Sequence, residues 1–106
     1  MPELISIHIT FATPAEAERV AQALVNEKMA ACVHLIPGIR SIYRWQGQMQ
    51  QTEEILLVAT TRAELFEPLR KFVKALHSYD CPCIVAFPVF AGHPPYLEWV
   101  VQETTP

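Results

Sequence analysis

Glycine is scarce in this chain: three occur in 106 residues, and none belongs to a GxSxG, P-loop or GxGxxG pattern. A phosphate cradle built from a glycine-rich loop is therefore excluded. Positive charge is also thin. Eight Lys and Arg against eleven Asp and Glu leave a formal charge of −3, and Arg40, Arg44, Arg62 and Arg70 stand singly. Without a basic stripe to hold a phosphate backbone, nucleic acid is not an expected partner. Long apolar runs are missing too: Leu4 to Phe11 is interrupted by Ser6 and His8, has no basic leader, and falls far short of the roughly 20 residues of a membrane span. The expectation is no membrane and a cytoplasmic location. Cysteine numbers only three, an odd count that suits reduced thiols in a cytosol-like compartment better than a disulfide framework. Cys81 and Cys83 are too close in sequence to bridge without strain.

What the chain does have is strand segments that are apolar on both faces. Ile55-Leu56-Leu57-Val58-Ala59 and Ile84-Val85-Ala86-Phe87 lack the polar alternation of a half-solvated strand. Only two long helices are readable, enough to cover one face of the sheet. Each large aliphatic side chain left in water forgoes roughly 1.5–3 kcal/mol, and a large exposed apolar patch is unusual on a soluble monomer. The expected cover for the second face is another copy of the chain.

The length fits one domain, residues 1–106. Leu4 to Phe11 alternates with strand period, placing Ile5, Ile7, Ile9 and Phe11 on one face. Thr13-Pro14-Ala15-Glu16 supplies an N-cap, a first-turn proline and a capping-box carboxylate, predicting a helix to about Met29 with Ala17, Val20, Ala21, Leu24 and the Lys28 stem inward. Ala31 to Trp45 reads as one long strand with a bulge at Pro37-Gly38, then a turn at Gln46-Gly47-Gln48 and a return strand from about Met49 to Thr60. An arm of about 13 residues spans about 43 Å and overhangs a domain only about 33 Å across. Thr61-Arg62-Ala63-Glu64 repeats the capping-box pattern ahead of a second helix with Leu65, Leu69, Phe72, Val73 and Leu76 buried, ending near His77 or Ser78. Pro68 should bend that helix or shift its start. Cys83 to Ala91 reads as an edge strand broken by Pro88, and Pro94-Pro95 opens a short helix carrying Leu97, Trp99, Val100 and Val101. The order β, α, β, β, α, β with right-handed crossovers predicts an α+β, ferredoxin-like βαββαβ sandwich with a long β2–β3 hairpin and a short C-terminal helix.

Donor side chains are densest in His77-Ser78-Tyr79-Asp80-Cys81-Pro82-Cys83. On an extended segment Cys81 and Cys83 point the same way, and two sulfurs with the His77 imidazole suit copper or zinc. The alternative is that both cysteines are small buried hydrophobes and His77 is a cation at a helix C-terminus. Cys32 sits among small and aliphatic neighbours, where packing is the simpler role. His8 and His34 occupy the polar parity of their strands and are read as solvated or hydrogen-bonded. Tyr43-Arg44-Trp45 on the overhanging hairpin is either a subunit contact or, with Tyr79, the wall of a cleft that takes a small anion or aromatic ligand.

Taken together, Glu27-Lys28-Met29-Ala30-Ala31-Cys32-Val33, Ile36-Pro37-Gly38-Ile39-Arg40-Ser41-Ile42-Tyr43-Arg44-Trp45-Gln46-Gly47, Glu54-Ile55-Leu56-Leu57 and Tyr96-Leu97-Glu98-Trp99-Val100 resemble the CutA family of divalent-cation tolerance proteins, in one register over nearly the whole chain. The resemblance implies a cytosolic, PII-like homotrimer with sheets inward and hairpins clasping neighbours. It also implies binding of copper or other divalent ions such as zinc, no organic cofactor and no established catalytic reaction. By position, Cys32 matches the cysteine after the first helix and becomes a candidate metal ligand beside His77, Cys81 and Cys83, while His77 and Tyr79 match a His-Pro-Tyr motif. Ser78 replaces that proline, Cys83 stands where a glutamate usually follows Pro82, and Ala59 stands in place of a lysine. A PII-like sensor that receives a small ligand at an intersubunit cleft is the second reading.

Overall fold

The computed structural model describes residues 2–106. The first strand, β1 (Leu4–Phe11), keeps its alternation: Ile5, Ile7, Ile9 and Phe11 are buried, while Ser6, His8 and Thr10 are partly exposed on the other side. The first helix, α1 (Pro14–Asn26), starts as expected, with Thr13 Oγ1 accepting the Glu16 N–H at 3.2 Å. It stops short of Met29. Lys28 adopts φ +57°, and the amides of Lys28 and Met29 donate to the carbonyls of Val25 and Leu24 at 3.1 and 2.9 Å. This is the Schellman terminator, here built on a lysine rather than the usual glycine. Residues 27–29 are thus the stop signal, and Lys28 is exposed instead of laying its stem on the core.

Strands β2 (Cys32–Trp45) and β3 (Gln48–Arg62) form the long hairpin. Their register shifts between Ile36 and Ile39, across Pro37-Gly38. Gln46 and Gly47 both have positive φ, 51° and 78°, the requirement of a two-residue type I′ turn that matches strand twist. The molecule measures 44 × 25 × 22 Å, so the arm overhangs the body as its length predicts.

The second capping box does not form. Leu4 pairs with Arg62 and the Ala63 amide donates to Glu3 O at 2.8 Å, so pairing with β1 holds Thr61 extended and buried, its hydroxyl without a partner. A 3₁₀ turn at Ala63–Leu65 leads into the second helix, α2 (Phe66–Leu76). Pro68 falls in the first turn of α2, where a missing N–H leaves no helical bond unmade. Strand β4 is shorter than expected, Ile84–Pro88, which leaves Cys83 outside it. The C-terminal helix, α3 (Pro94–Glu103), buries Val100 fully but leaves Trp99 40% exposed, in an aromatic pair with Tyr96 at 5.7 Å.

The strand order is β2-β3-β1-β4, antiparallel throughout, the ferredoxin-like arrangement. The sheet's odd-numbered side chains Ile5, Ile7, Ile9, Phe11, Ile55, Leu57 and Ala59 pack against Ala17, Val20 and Leu24 of α1 and Leu69 and Val73 of α2. On the opposite face α3 covers one corner, where Val100 meets Leu4 and Ala31, and Arg62 donates to the Thr104 carbonyl at 2.6 Å and hydroxyl at 3.0 Å. Among the described residues nothing covers the rest of that face. Leu56 and Val58 are partly exposed, and Ile36, Val85 and Phe87 are 44%, 43% and 49% exposed.

Candidate functional site

Three places in this fold hold chemistry, and the first is the junction after α2. His77, the C-cap of that helix, is buried against Phe11, ring centroids 4.5 Å apart and nearly parallel. Its Nε2 lies 2.8 Å from Thr10 O, which can only accept, so Nε2 carries the proton. Nδ1 then accepts the Tyr79 N–H at 3.0 Å. In that neutral tautomer the 3.8 Å approach of Glu16 Oε2 to Nδ1 is not an ion pair. Glu16 serves Ser78 instead. Expected to reach back to its own helix cap, its buried carboxylate accepts the Ser78 N–H at 2.6 Å and the Ser78 hydroxyl at 2.9 Å. A proline at position 78 could make neither bond.

His77 therefore has no free lone pair for an ion, and the set His77, Cys81 and Cys83 does not fit a metal as the dense spacing suggested. Among the described residues no group of three or more His, Cys, Asp or Glu is gathered as a metal site.

The second place is a cleft of about 610 Å³ between the hairpin and the segment 79–83. Tyr43 and Trp45 wall one side, Tyr79, Asp80, Cys81 and Cys83 the other, with Glu54 and Thr10 among the residues between. Glu54 is only 6% exposed and accepts the Tyr79 hydroxyl at 2.7 Å. Burial, and then this bond to a carboxylate, push the Tyr79 phenol well above its ordinary range. Partial burial, and then the Glu54 charge, push the Cys83 thiol up as well, which disfavours its thiolate. Arg44 does not line the cleft. On a strand it has the parity opposite to Tyr43 and Trp45, and its guanidinium donates to Gly47 O at 3.4 Å. The expected anion site thus loses its cation. Ala59 lies in the core beneath the helices, so position 59 adds nothing to the cleft.

The third place was missed from the sequence. Cys32 Sγ and His34 Nε2 are 3.3 Å apart at the start of β2. They pair with Thr60 and Val58, which puts both on the uncovered face. Residues two apart on a strand share a face, the same rule applied to Cys81 and Cys83, and applied here it would have found the pair. His8, on that same face, packs instead against Phe87 at 4.7 Å. No helix of the described residues is long and apolar enough to cross a membrane.

Comparison with known proteins bears on the whole chain. "Divalent-cation tolerance protein CutA" of Thermus thermophilus is 45% identical over 91% of this chain and 93% of its own length. "Protein CutA, chloroplastic" of Arabidopsis thaliana is 41% identical over 94% of this chain, which spans only 55% of that protein. The crystal structure of CutA1 from Oryza sativa superposes with a TM-score of 0.95 at 38% identity, covering 98% of this chain and 95% of that one. The family model for the CutA1 divalent ion tolerance protein matches residues 5–103, and with these likenesses in sequence and fold, the chain belongs to that family.

Proposed function

We propose that this chain acts in divalent metal tolerance as a cytoplasmic, PII-like homotrimer that binds copper or zinc through Cys32 and His34. The contact that carries the metal reading is the 3.3 Å approach of thiol and imidazole on the uncovered face. Thiolate sulfur selects soft ions such as Cu(I), and imidazole suits copper and zinc alike. A thiol must lose its proton to ligate, so affinity rises with pH. Cys81 and Cys83 are exposed and supply a second pair of thiols at the cleft. Self-assembly is supported by the wet apolar face and by exposed Ile42, Trp45 and Met49 on the overhanging arm. Three unbridged cysteines support a reducing compartment, and nothing in the names of the relatives points to a reaction.

The test is titration of Cu(I) or Zn into reduced protein, read by calorimetry, beside particle mass by sedimentation. A threefold mass and a stoichiometry lowered by Cys32→Ser and by His34→Asn are expected. A stoichiometry unchanged in both variants removes the pair as ligands, and a stable monomer at micromolar concentration removes the assembly.

The cleft favours a second reading, a PII-like sensor that takes a small molecule, because about 610 Å³ is within the range of ligand sites. A thermal-shift screen in which no metabolite raises the melting point with concentration counts against it.

A further inference from the structure

We infer that the cleft between the hairpin and residues 79–83 binds a small organic cation, an alkylammonium or quaternary ammonium group, held over aromatic faces with Glu54 as its counter-charge. This rests on the sensor reading above and names its ligand class. Sign comes first. The carboxylates that line the cleft are Glu54 and Asp80, and no Lys, Arg or His of the described residues joins them. An anionic ligand entering this cleft would meet two like charges and nothing to neutralise it.

Shape narrows the class further. Tyr43, Trp45 and Tyr79 bring three aromatic rings to one cavity, and the negative faces of such rings attract ammonium groups, more so when water is excluded. Glu54 is more than nine-tenths buried, and the Tyr79 hydroxyl engages only its Oε2. Among the described residues Oε1 accepts no hydrogen bond, so the carboxylate, which lines the cleft, keeps acceptor capacity. A buried carboxylate without a cation is costly, and a ligand cation relieves that cost. A metal ion suits the same lining less well. Among the described residues the carboxylates and thiols of the cleft form no group of three or more donors, and three aromatic rings offer a hard ion nothing to coordinate.

The experiment is calorimetric titration of the intact, reduced protein with choline chloride, with sodium citrate and zinc chloride as the other arms, repeated on Glu54→Gln and Tyr43→Leu. Glutamine still accepts the Tyr79 hydroxyl, so the fold of E54Q is expected to persist, and its melting point checks this. Choline binding that falls about tenfold in E54Q and less in Tyr43→Leu supports the inference. Choline binding unchanged in E54Q overturns it, as does citrate or zinc binding more tightly than choline in a manner that E54Q alters. Citrate binding would leave a sensor cleft standing with another ligand class. If the metabolite screen also finds no ligand, the sensor reading falls with it.

Discussion

The junction after α2 and the start of β2 hold the same chemistry, an imidazole near thiols, and dispose it in opposite ways. At the junction both ring nitrogens of His77 have a partner within the protomer: Thr10 O on one, Tyr79 N–H on the other, with Phe11 beneath the ring. At the start of β2, the side chains of Cys32 and His34 meet each other and, among the described residues, no other hydrogen-bonding group, on a face that the protomer leaves open. A crowd of donors in sequence therefore does not make a binding site. What matters is whether the fold has already used their hydrogen-bonding capacity, and a buried histidine must be used.

The contrast can be broken most forcefully at His77. His77→Ala leaves the Thr10 carbonyl and the Tyr79 amide unpaired and opens a void against Phe11, so urea unfolding at fixed protein concentration should show a loss of about 3 kcal/mol per protomer. Metal stoichiometry should not change, and a loss of bound metal would place His77 back among the ligands. Glu16→Ala comes next. With the Ser78 amide and hydroxyl deprived of their acceptor, about 2 kcal/mol should be lost, and Ser78→Ala should lose less because the amide bond to Glu16 survives.

At the open end the effect on stability should be slight. His34→Asn and Cys32→Ser break a single contact between two side chains and are expected to cost no more than about 1 kcal/mol, while metal affinity falls. A larger loss in the metal-free protein would mean that the pair is structural after all. The smallest effect concerns Cys83, whose thiol is raised first by burial and then by the Glu54 charge. Alkylation of Cys83 should therefore lag behind that of an ordinary thiol at neutral pH and catch up only once the pH has risen above the ordinary thiol range. E54Q removes the lesser cause, and Cys83 should then react faster near pH 8, read by mass spectrometry of the labelled peptide. An unchanged rate would assign the whole shift to burial.

Much of the architecture was legible because strands and helices advertise their periods. The alternation Ile5, Ile7, Ile9, Phe11 and the Thr13-Pro14 start place β1 and α1 correctly, and the doubly apolar Ile55–Ala59 run matches a strand with one face on the helical core and apolar side chains left open on the other. Errors came where pairing outranked local pattern. Thr61 has the look of a helix cap, yet its neighbours pair with Leu4 and Glu3, and several ladder bonds outweigh one cap. Glu16 has the look of a capping-box residue, yet it turns to Ser78, 62 positions away, a contact that no local rule can foresee. The site was less legible than the fold for the same reason. Tyr43, Arg44, Trp45 and Tyr79 read from the sequence as a subunit contact or a cleft wall; strand parity separates Arg44 from the other three, which line the cleft, and nothing local marks Glu54, among the polar residues toward the turn, as buried.

Both borders of the sheet, β2 and β4, carry a proline: Pro37 at the register shift and Pro88 as the last paired residue. A proline offers no N–H to an incoming strand, and a kinked or abruptly ended ribbon gives a poor template for amyloid-like stacking. Growth by adding chains sideways is thereby discouraged at each rim, while the greasy flat side stays open. Copies of this chain that meet at high concentration are therefore hindered from pairing edge to edge into an endless fibre.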